Sequence, residues 1–444
     1  MRTSLLAVLI SSLVFGGGRA GAQQPPPQKL SLGLSQAVEL ALKNNLQTRL
    51  AVERAAQSRG EQSLSLSALL PNLSGAAYQM NLTANLAALG LPVNMIPGFP
   101  VLVGPYNQFD ARVRLVQNVF DLGSIRRHQA ASRGVALAGD QQRLAAQQVT
   151  TVTTLAYLAV LEAEQAVVAA EANVTLAGRL LDLARSQREA GVATGLDVAR
   201  AETRLAGQQV QLAQVQTGLD TARLNLLRVV GAPLASELAL TERMRFVPEP
   251  LPDAGKAVSE ALSERLEVKV AADQLGIAEA RRKAAQAERL PSVGFFGDYG
   301  SSGLKPNQTN LATRSYGLRM DVPLFDGGRT RAGVQVAASL ERQAEMQWTD
   351  LRSAVERDVR QALDQLATRQ EQVETAQKVV GLAERELELA RDRFANGVVD
   401  NLEITNAQTV LEDARQVFVA SLAQFNVARL NLAAALGHAE DFRL

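Results

Sequence analysis

Apolar residues recur along this chain at two spacings, and the spacings alternate in blocks. From Ala145 through Val149, Val152, Ala156, Val160, Ala163, Val167, Ala170, Val174, Ala177 and Leu181 to Ala184, apolar positions step by threes and fours without interruption. That step keeps one stripe on a single helix face, the pattern of a coiled-coil seam. The same register returns at Val373, Ala376, Val380, Ala383, Leu387, Ala390 and Phe394. Shorter stripes follow each run, at Ala201, Leu205, Leu212, Leu219 and Leu226, and at Ala407, Leu411, Ala414, Phe425 and Leu432. Proline, which breaks a helix interior, is absent from Val113 to Ala232 and from Leu324 to the C-terminus. The pattern predicts helices over 37–70, 121–190, 196–230, 254–290, 326–396 and 402–436.

The lengths match. The 70 residues of 121–190 make about 105 Å of helix at roughly 1.5 Å per residue. Its flanking helices of 34 and 35 residues sum to 69, and in the second half 37 and 35 face 71. Two short helices laid end to end match one long helix in each half, which predicts a wall of packed helices rather than a globular core.

Between the helices the spacing switches to two. Ala111-Arg112-Val113-Arg114-Leu115-Val116 and Tyr316-Gly317-Leu318-Arg319-Met320-Asp321-Val322 alternate in polarity and predict strands. The windows 71–120 and 291–325 hold 10 of the 18 aromatic residues, a concentration that fits the aromatic girdles of an outer-membrane barrel. Two strands per window give four per chain. Four strands leave open edges that lipid cannot satisfy, so such a barrel needs several chains. Two water-exposed hairpins capping a bundle are the other reading of these windows. Pro71 and Pro291 mark the change from helix to strand, and Asp121 and Asp326 are placed to cap the long helices.

The chain also repeats. Residues 183–231 align without a gap on 389–437, with 15 identities in 49 positions. The segment 37–71 pairs with 257–291, and Phe120-Asp121-Leu122-Gly123 pairs with Phe325-Asp326-Gly327-Gly328. The order is the same in both halves, so the expected organisation is a first repeat over 23–231, a proline-rich linker over 232–253 and a second repeat over 254–444.

Composition narrows the function. With 46 Lys+Arg against 45 Asp+Glu the net charge is +1, and nothing favours nucleic acid as a partner. There is no cysteine, hence no disulfide, thiolate metal site or cysteine-linked lipid. His128 and His438, far apart in sequence, read as solvated helical residues and leave little for metal or acid-base chemistry. No cofactor or metal is expected. Residues 1–22 carry Arg2, an apolar run from Leu5 to Phe15 and Ala20-Gly21-Ala22, the pattern of a cleaved export signal. No later segment reads as a transmembrane helix.

The motifs LSQAVELALKNNLQ (34–47), NVFDLGSIRR (118–127), VPLFDGGRTR (322–331), REAGVATGLDVARAETRL (188–205) and RFANGVVDNLEITNAQTVL (393–411) together resemble the TolC-type outer-membrane efflux proteins. The resemblance covers essentially the whole mature chain. It implies a mainly α fold with a small β part: a homotrimer whose duplicated helical hairpins form a 12-helix periplasmic tunnel below a shared 12-stranded outer-membrane barrel. It also implies a periplasmic adaptor, an inner-membrane transporter that supplies the energy, and outer-membrane lipid as partners. Gly191 and Val192, with Gly397 and Val398, would form hairpin tips that dock the adaptor. By motif position Glu403 would belong to an acidic ring at the tunnel entrance, and Asp197 would link neighbouring hairpins in the closed state. This chain departs from the family in carrying Asn406 at a second acidic ring, and Val399 and Phe394 for the usual arginine and tyrosine partners. Asp400 is then the acid available to substitute for part of that network. Asp197 and Glu403 also fit a plain capping role at helix N-termini.

Two other classes remain open at this point. A non-channel periplasmic coiled coil, structural or adaptor-like, would share the seams but not the aromatic strand windows. A secreted enzyme lacks support: there is no glycine-rich phosphate loop and no nucleophile-base motif.

Overall fold

The structure, a computed structural model, describes residues 29–88, 100–395 and 401–444. A short strand β1 (Lys29–Leu32) leads into α1 (Leu34–Asn44) and α2 (Leu46–Ser67). Two long strands follow, β2 (Asn72–Asn85) and β3 (Leu102–Phe120), then α3 (Leu122–Glu189) and the return helix α4 (Gly195–Val230). After β4 (Glu237–Leu240) the order recurs: α5 (Ala254–Glu264), α6 (Leu266–Ala287), β5 (Ser292–Gly303), β6 (Leu311–Asp321), α7 (Arg329–Ala395) and α8 (Asn401–Leu436).

The helices form a wall. Along α3 lie α2, α1 and α4 on one flank and α6 and α8 on the other, and α7 packs against α6, α5 and α8. The seam predicted from Ala145 to Ala184 is buried at Val149, Val160, Ala170, Ala177, Leu181 and Ala184, whereas Val152 is 51% exposed. The largest cluster gathers Tyr157, Leu158, Leu226, Leu227 and Val230 with Leu430 and Phe442 near the middle of the wall.

Two predicted helices are broken. The span 37–70 is interrupted at Asn45 (ψ 137°) and 254–290 at Arg265 (ψ 123°), with no proline at either place. Asn45 accepts from the Gln47 amide at 2.9 Å and donates to the Val229 carbonyl at 3.0 Å, so its side chain restarts α2 and holds the end of α4. The proline-rich segment 232–253 contains β4, which pairs in parallel with β1 in the register Lys29↔Glu237 to Leu32↔Leu240. Four-residue strands of this kind leave too short an alternation to read.

Other expectations need correcting. His438 is not helical: it follows α8, and its Nε2 lies 3.1 Å from Glu260 Oε1. Helices α3 and α8 each contain an 18-residue window apolar and charge-poor enough, by length and composition, to cross a membrane. Their seam alanines and valines produce that signal, and those seams pack against other helices. Asp121 and Asp326 do cap the long helices, through Ser124 N at 3.1 Å and Thr330 N at 2.9 Å, but α7 begins only at Arg329 because Gly327 and Gly328 hold positive φ.

Candidate functional site

The sheet runs β2-β3-β5-β6, antiparallel throughout, and among the described residues both edge strands are unpaired on their outer sides. Directly paired residues share a face, and the face alternates along each strand. By register, Leu73, Val113, Leu115, Tyr299, Tyr316, Leu318 and Met320 lie on one face, with Arg314 among them opposite Tyr299. Tyr316 and Leu318 there are 72% and 71% exposed in the protomer, far beyond what water-facing aromatics and aliphatics of this size would favour together. Asp110, Arg112, Arg114, Asp298, Ser315 and Arg319 lie on the other, together with Tyr78, Val116, Phe296 and Leu311. Arg112 pairs there with Asp110 and, at 3.0 Å, with Asp298. One face is thus mostly apolar, and the other carries most of the sheet's charge.

Below the sheet, a groove in the helical wall touches four helices at once, through Arg54 and Ser58 of α2, Gly134 of α3, Arg281 of α6 and Leu340 of α7.

At the far end of the first hairpin, α3 closes with Gly191 at φ +78°. The amides of Gly191 and Val192 donate to the carbonyls of Arg188 (3.0 Å) and Gln187 (2.9 Å), a closure that favours glycine in the left-handed region. Val192 stands 63% exposed at the tip. Thr194 and Asp197 form a reciprocal capping box: the Thr194 amide donates to Asp197 at 2.9 Å, and the Asp197 amide points back at the Thr194 hydroxyl at 3.4 Å. The hydroxyl and amide of Thr194 hold the Asp197 carboxyl below its usual range.

In the second hairpin Gly397, Val398 and Asp400 lie outside the described residues, as does Val399. Glu403 is in the first turn of α8 and accepts from Arg393 Nη1 at 2.6 Å. Asn406 is exposed one turn on. Phe394 is buried among Leu180, Leu387, Ala390, Ile404 and Ala407, so it packs the hairpin instead of reaching the neighbouring one with a polar group. Asp197 and Glu403 are each held by a partner in their own hairpin. The hairpins are tied by Gln187 Nε2, which donates to the Phe394 carbonyl at 3.3 Å.

A second tie, further from the tip, was not foreseen. Glu412 of α8 is 6% exposed and accepts from Arg204 and, at 3.0 Å, from Gln208, both on α4. Burial pushes the Glu412 carboxyl up, and Arg204 and the amides offset only part of that. Nearby, Arg415 bridges Asn173 of α3 and Glu384 of α7, at 3.3 Å each. The sequence carries a signal for it: Gln408 and Glu412 sit beside the α8 stripe where apolar residues would otherwise complete the seam. Among the described residues no group of three His, Cys, Asp or Glu is placed to hold a metal ion.

Comparison with known proteins fits this geometry. The family described as outer membrane efflux protein matches residues 37–232 and 257–438. The alkaline protease secretion protein AprF of Pseudomonas aeruginosa is 25% identical over 389 residues, covering 86% of this chain and 80% of AprF. The toluene efflux pump outer membrane protein TtgC of Pseudomonas putida is 25% identical over 421 residues, covering 91% and 82%. The fold is that of the Campylobacter jejuni CmeC outer membrane channel, with a TM-score of 0.81 at 18% identity over 91% of this chain and 86% of CmeC. VceC of Vibrio cholerae aligns with a TM-score of 0.76 at 19% identity, over 91% of this chain and 96% of that one.

Proposed function

The chain belongs to the outer membrane efflux protein family, and on that premise we propose that it is the outer-membrane exit duct of a tripartite exporter. It is an outer-membrane protein of a channel family, and the alternative of a non-channel periplasmic coiled coil is not favoured.

One observation carries the reading. A sheet of four strands with one mostly apolar and one mostly charged face, open at β2 and β6, continues into helices of 68 and 67 residues. Closing those edges in lipid requires further strands. Three copies give a closed 12-stranded barrel, and their helical walls close into a tunnel beneath it. Transport through it is passive. An inner-membrane transporter supplies the energy, and a periplasmic adaptor grips the hairpin tips at Gly191, Val192, Gly397 and Val398. Glu403, with Asp197, Asp400 and Asn406, narrows the entrance. Residues 1–22 serve as the export signal, the repeats span 23–231 and 254–444, and 232–253 joins them.

The test is fractionation of the full chain with gel analysis before and after heating. Recovery in the outer membrane as a trimer that dissociates only on heating supports the duct. A monomer recovered from the soluble periplasm overturns it.

A further inference from the structure

One polar contact between the two hairpins is buried and is not repeated. Glu412 of α8 accepts from Arg204 and Gln208 of α4, and Gln208 is buried along with it. At the offset of 206 residues that relates the hairpins, Arg204 corresponds to Val410, Gln208 to Ala414 and Glu412 to Ala206. The duplicated helices therefore carry a charged tie at one joint and apolar residues at the equivalent positions.

In an assembled tube these are two different joints. Within one chain α3 packs against both α4 and α8. By the repeat, α7 would stand in the same way between α8 and the α4 of the next copy. Val410 and Ala206 are both exposed in the protomer, as residues that face such a neighbour are. The two joints respond differently to separation. A buried ion pair regains its hydration when it opens, so it resists parting less than apolar packing of similar volume. This pair is also incompletely satisfied: among the described residues Arg204 Nε and Glu412 Oε1 are buried without a hydrogen-bond partner, and water supplies one once the helices part. Two neighbouring links between the hairpins, from Gln187 to the Phe394 carbonyl and from Arg415 to Asn173, end on neutral acceptors at 3.3 Å each. An apolar joint loses its burial on opening and regains nothing.

Position gives the difference a use. Arg204 is the tenth residue of α4 and Glu412 the twelfth of α8. At roughly 1.5 Å per residue the tie stands about 15 Å from the start of both return helices, between the tips and the cluster around Tyr157, Leu226 and Leu430. An entrance bounded by six hairpins widens when adjacent hairpins spread, and the tie lies across one kind of joint only. We propose that Arg204 and Glu412 form a releasable joint that sets the width of the tunnel entrance, so that the entrance opens between the two hairpins of each chain and not between chains. Both are positioning residues, acting through the hairpin ends without touching cargo. The inference rests on the three-copy duct proposed above.

The test compares single channels in planar bilayers with thermal melting of the same full-length proteins. Arg204→Met/Glu412→Leu, which puts apolar packing in place of the ion pair, should melt no lower than wild type yet visit the widest conductance levels roughly tenfold less often. A purely structural pair would move stability and conductance in the same direction. The chain has no cysteine, so Gln208→Cys/Glu412→Cys can be bridged by a reducible bis-methanethiosulfonate linker. Bridging should suppress the widest levels until a reductant restores them. The same linker across Ala206→Cys/Val410→Cys, which would join neighbouring copies, should leave those levels in place. Wide levels that persist in the folded apolar pair or in the bridged Gln208→Cys/Glu412→Cys protein, or that vanish only when copies are joined, overturn the proposal. A wild-type chain that forms no channel defeats the duct reading first; channels that behave alike in every variant defeat only this inference.

Discussion

Gly231 closes α4 directly against Asn44, the last residue of α1: a Cβ added at Gly231 would stand 2.7 Å from the Asn44 Cβ. The second repeat has the same relationship, Gly437 lying against Glu264 and Arg265 with its nearest approach at 3.3 Å. Each return helix therefore ends on the break between two short helices. End-to-end stacking with no gap needs a glycine at that point, because the chain must turn at positive φ while touching a neighbour's backbone.

Substitution should rank accordingly. Gly231→Ala meets both a φ of +69° and the 2.7 Å contact and should cost about 1–3 kcal/mol. Gly437→Ala, with φ +95° and looser contact, should cost less than Gly231→Ala, and Gly191→Ala, with nothing within 4 Å, should suffer from backbone strain alone. Denaturant unfolding of the three variants checks the order; a Gly231→Ala protein as stable as Gly191→Ala would contradict it.

Glu412 gives a pH-dependent prediction. Its folded carboxyl titrates above the ordinary value of 4.5 because burial outweighs Arg204. The folded state thus holds this proton more tightly than the unfolded chain. The resulting stability is fully present below pH 4.5 and is lost as pH rises through the higher folded value. Glu412→Gln should flatten that slope. At neutral pH, Arg204→Met alone should destabilise by roughly 3 kcal/mol by leaving a buried carboxylate without its cation, and adding Glu412→Gln should recover most of the loss. Melting curves across pH for the three variants decide it; an unchanged slope in Glu412→Gln would place the titration elsewhere.

These two cases show what could be read in advance. The seams, the windows and the repeat were legible because each rests on a short period repeated many times, as from Val149 to Ala184. The breaks at Asn45 and Arg265 were not, since they depend on Gly231 and Gly437, distant residues whose approach no local pattern encodes. The tie between Arg204 and Glu412 falls outside the repeat, because their counterparts at offset 206 are Val410 and Ala206. At the tip, motif position points to Asp197 and Glu403 as gate residues, and it does not point to Arg393, which lies across the hairpin turn and pairs with Glu403.

That partner changes what removing the acid should do. With Arg393 at 2.6 Å, each Glu403 carboxylate is partly neutralised, and both groups are substantially solvated. Glu403→Ala should raise single-channel conductance in planar bilayers or alter cation block, while Arg393→Ala, which bares the carboxylates, should strengthen block by divalent cations. Identical conductance and block in wild type and both variants would remove Glu403 from the entrance.

The docking proposed for the tips makes a separable demand on them. Val192 is exposed and Gly191 has open space around it, so a large side chain there need not disturb packing within the protomer. The positive φ of Gly191 adds a modest strain confined to the turn, of order 1 kcal/mol. Replacing Gly191 and Gly397 together by tryptophan should therefore leave trimer assembly and outer-membrane recovery intact and abolish export, because the surface offered to the adaptor is changed while the seams are not. Assembly is read on unheated gels and export by accumulation of a fluorescent efflux substrate in cells carrying the cognate pump. Retained export with both tips altered would show that the adaptor grips elsewhere on the wall, and loss of the trimer would show that the tips also serve assembly.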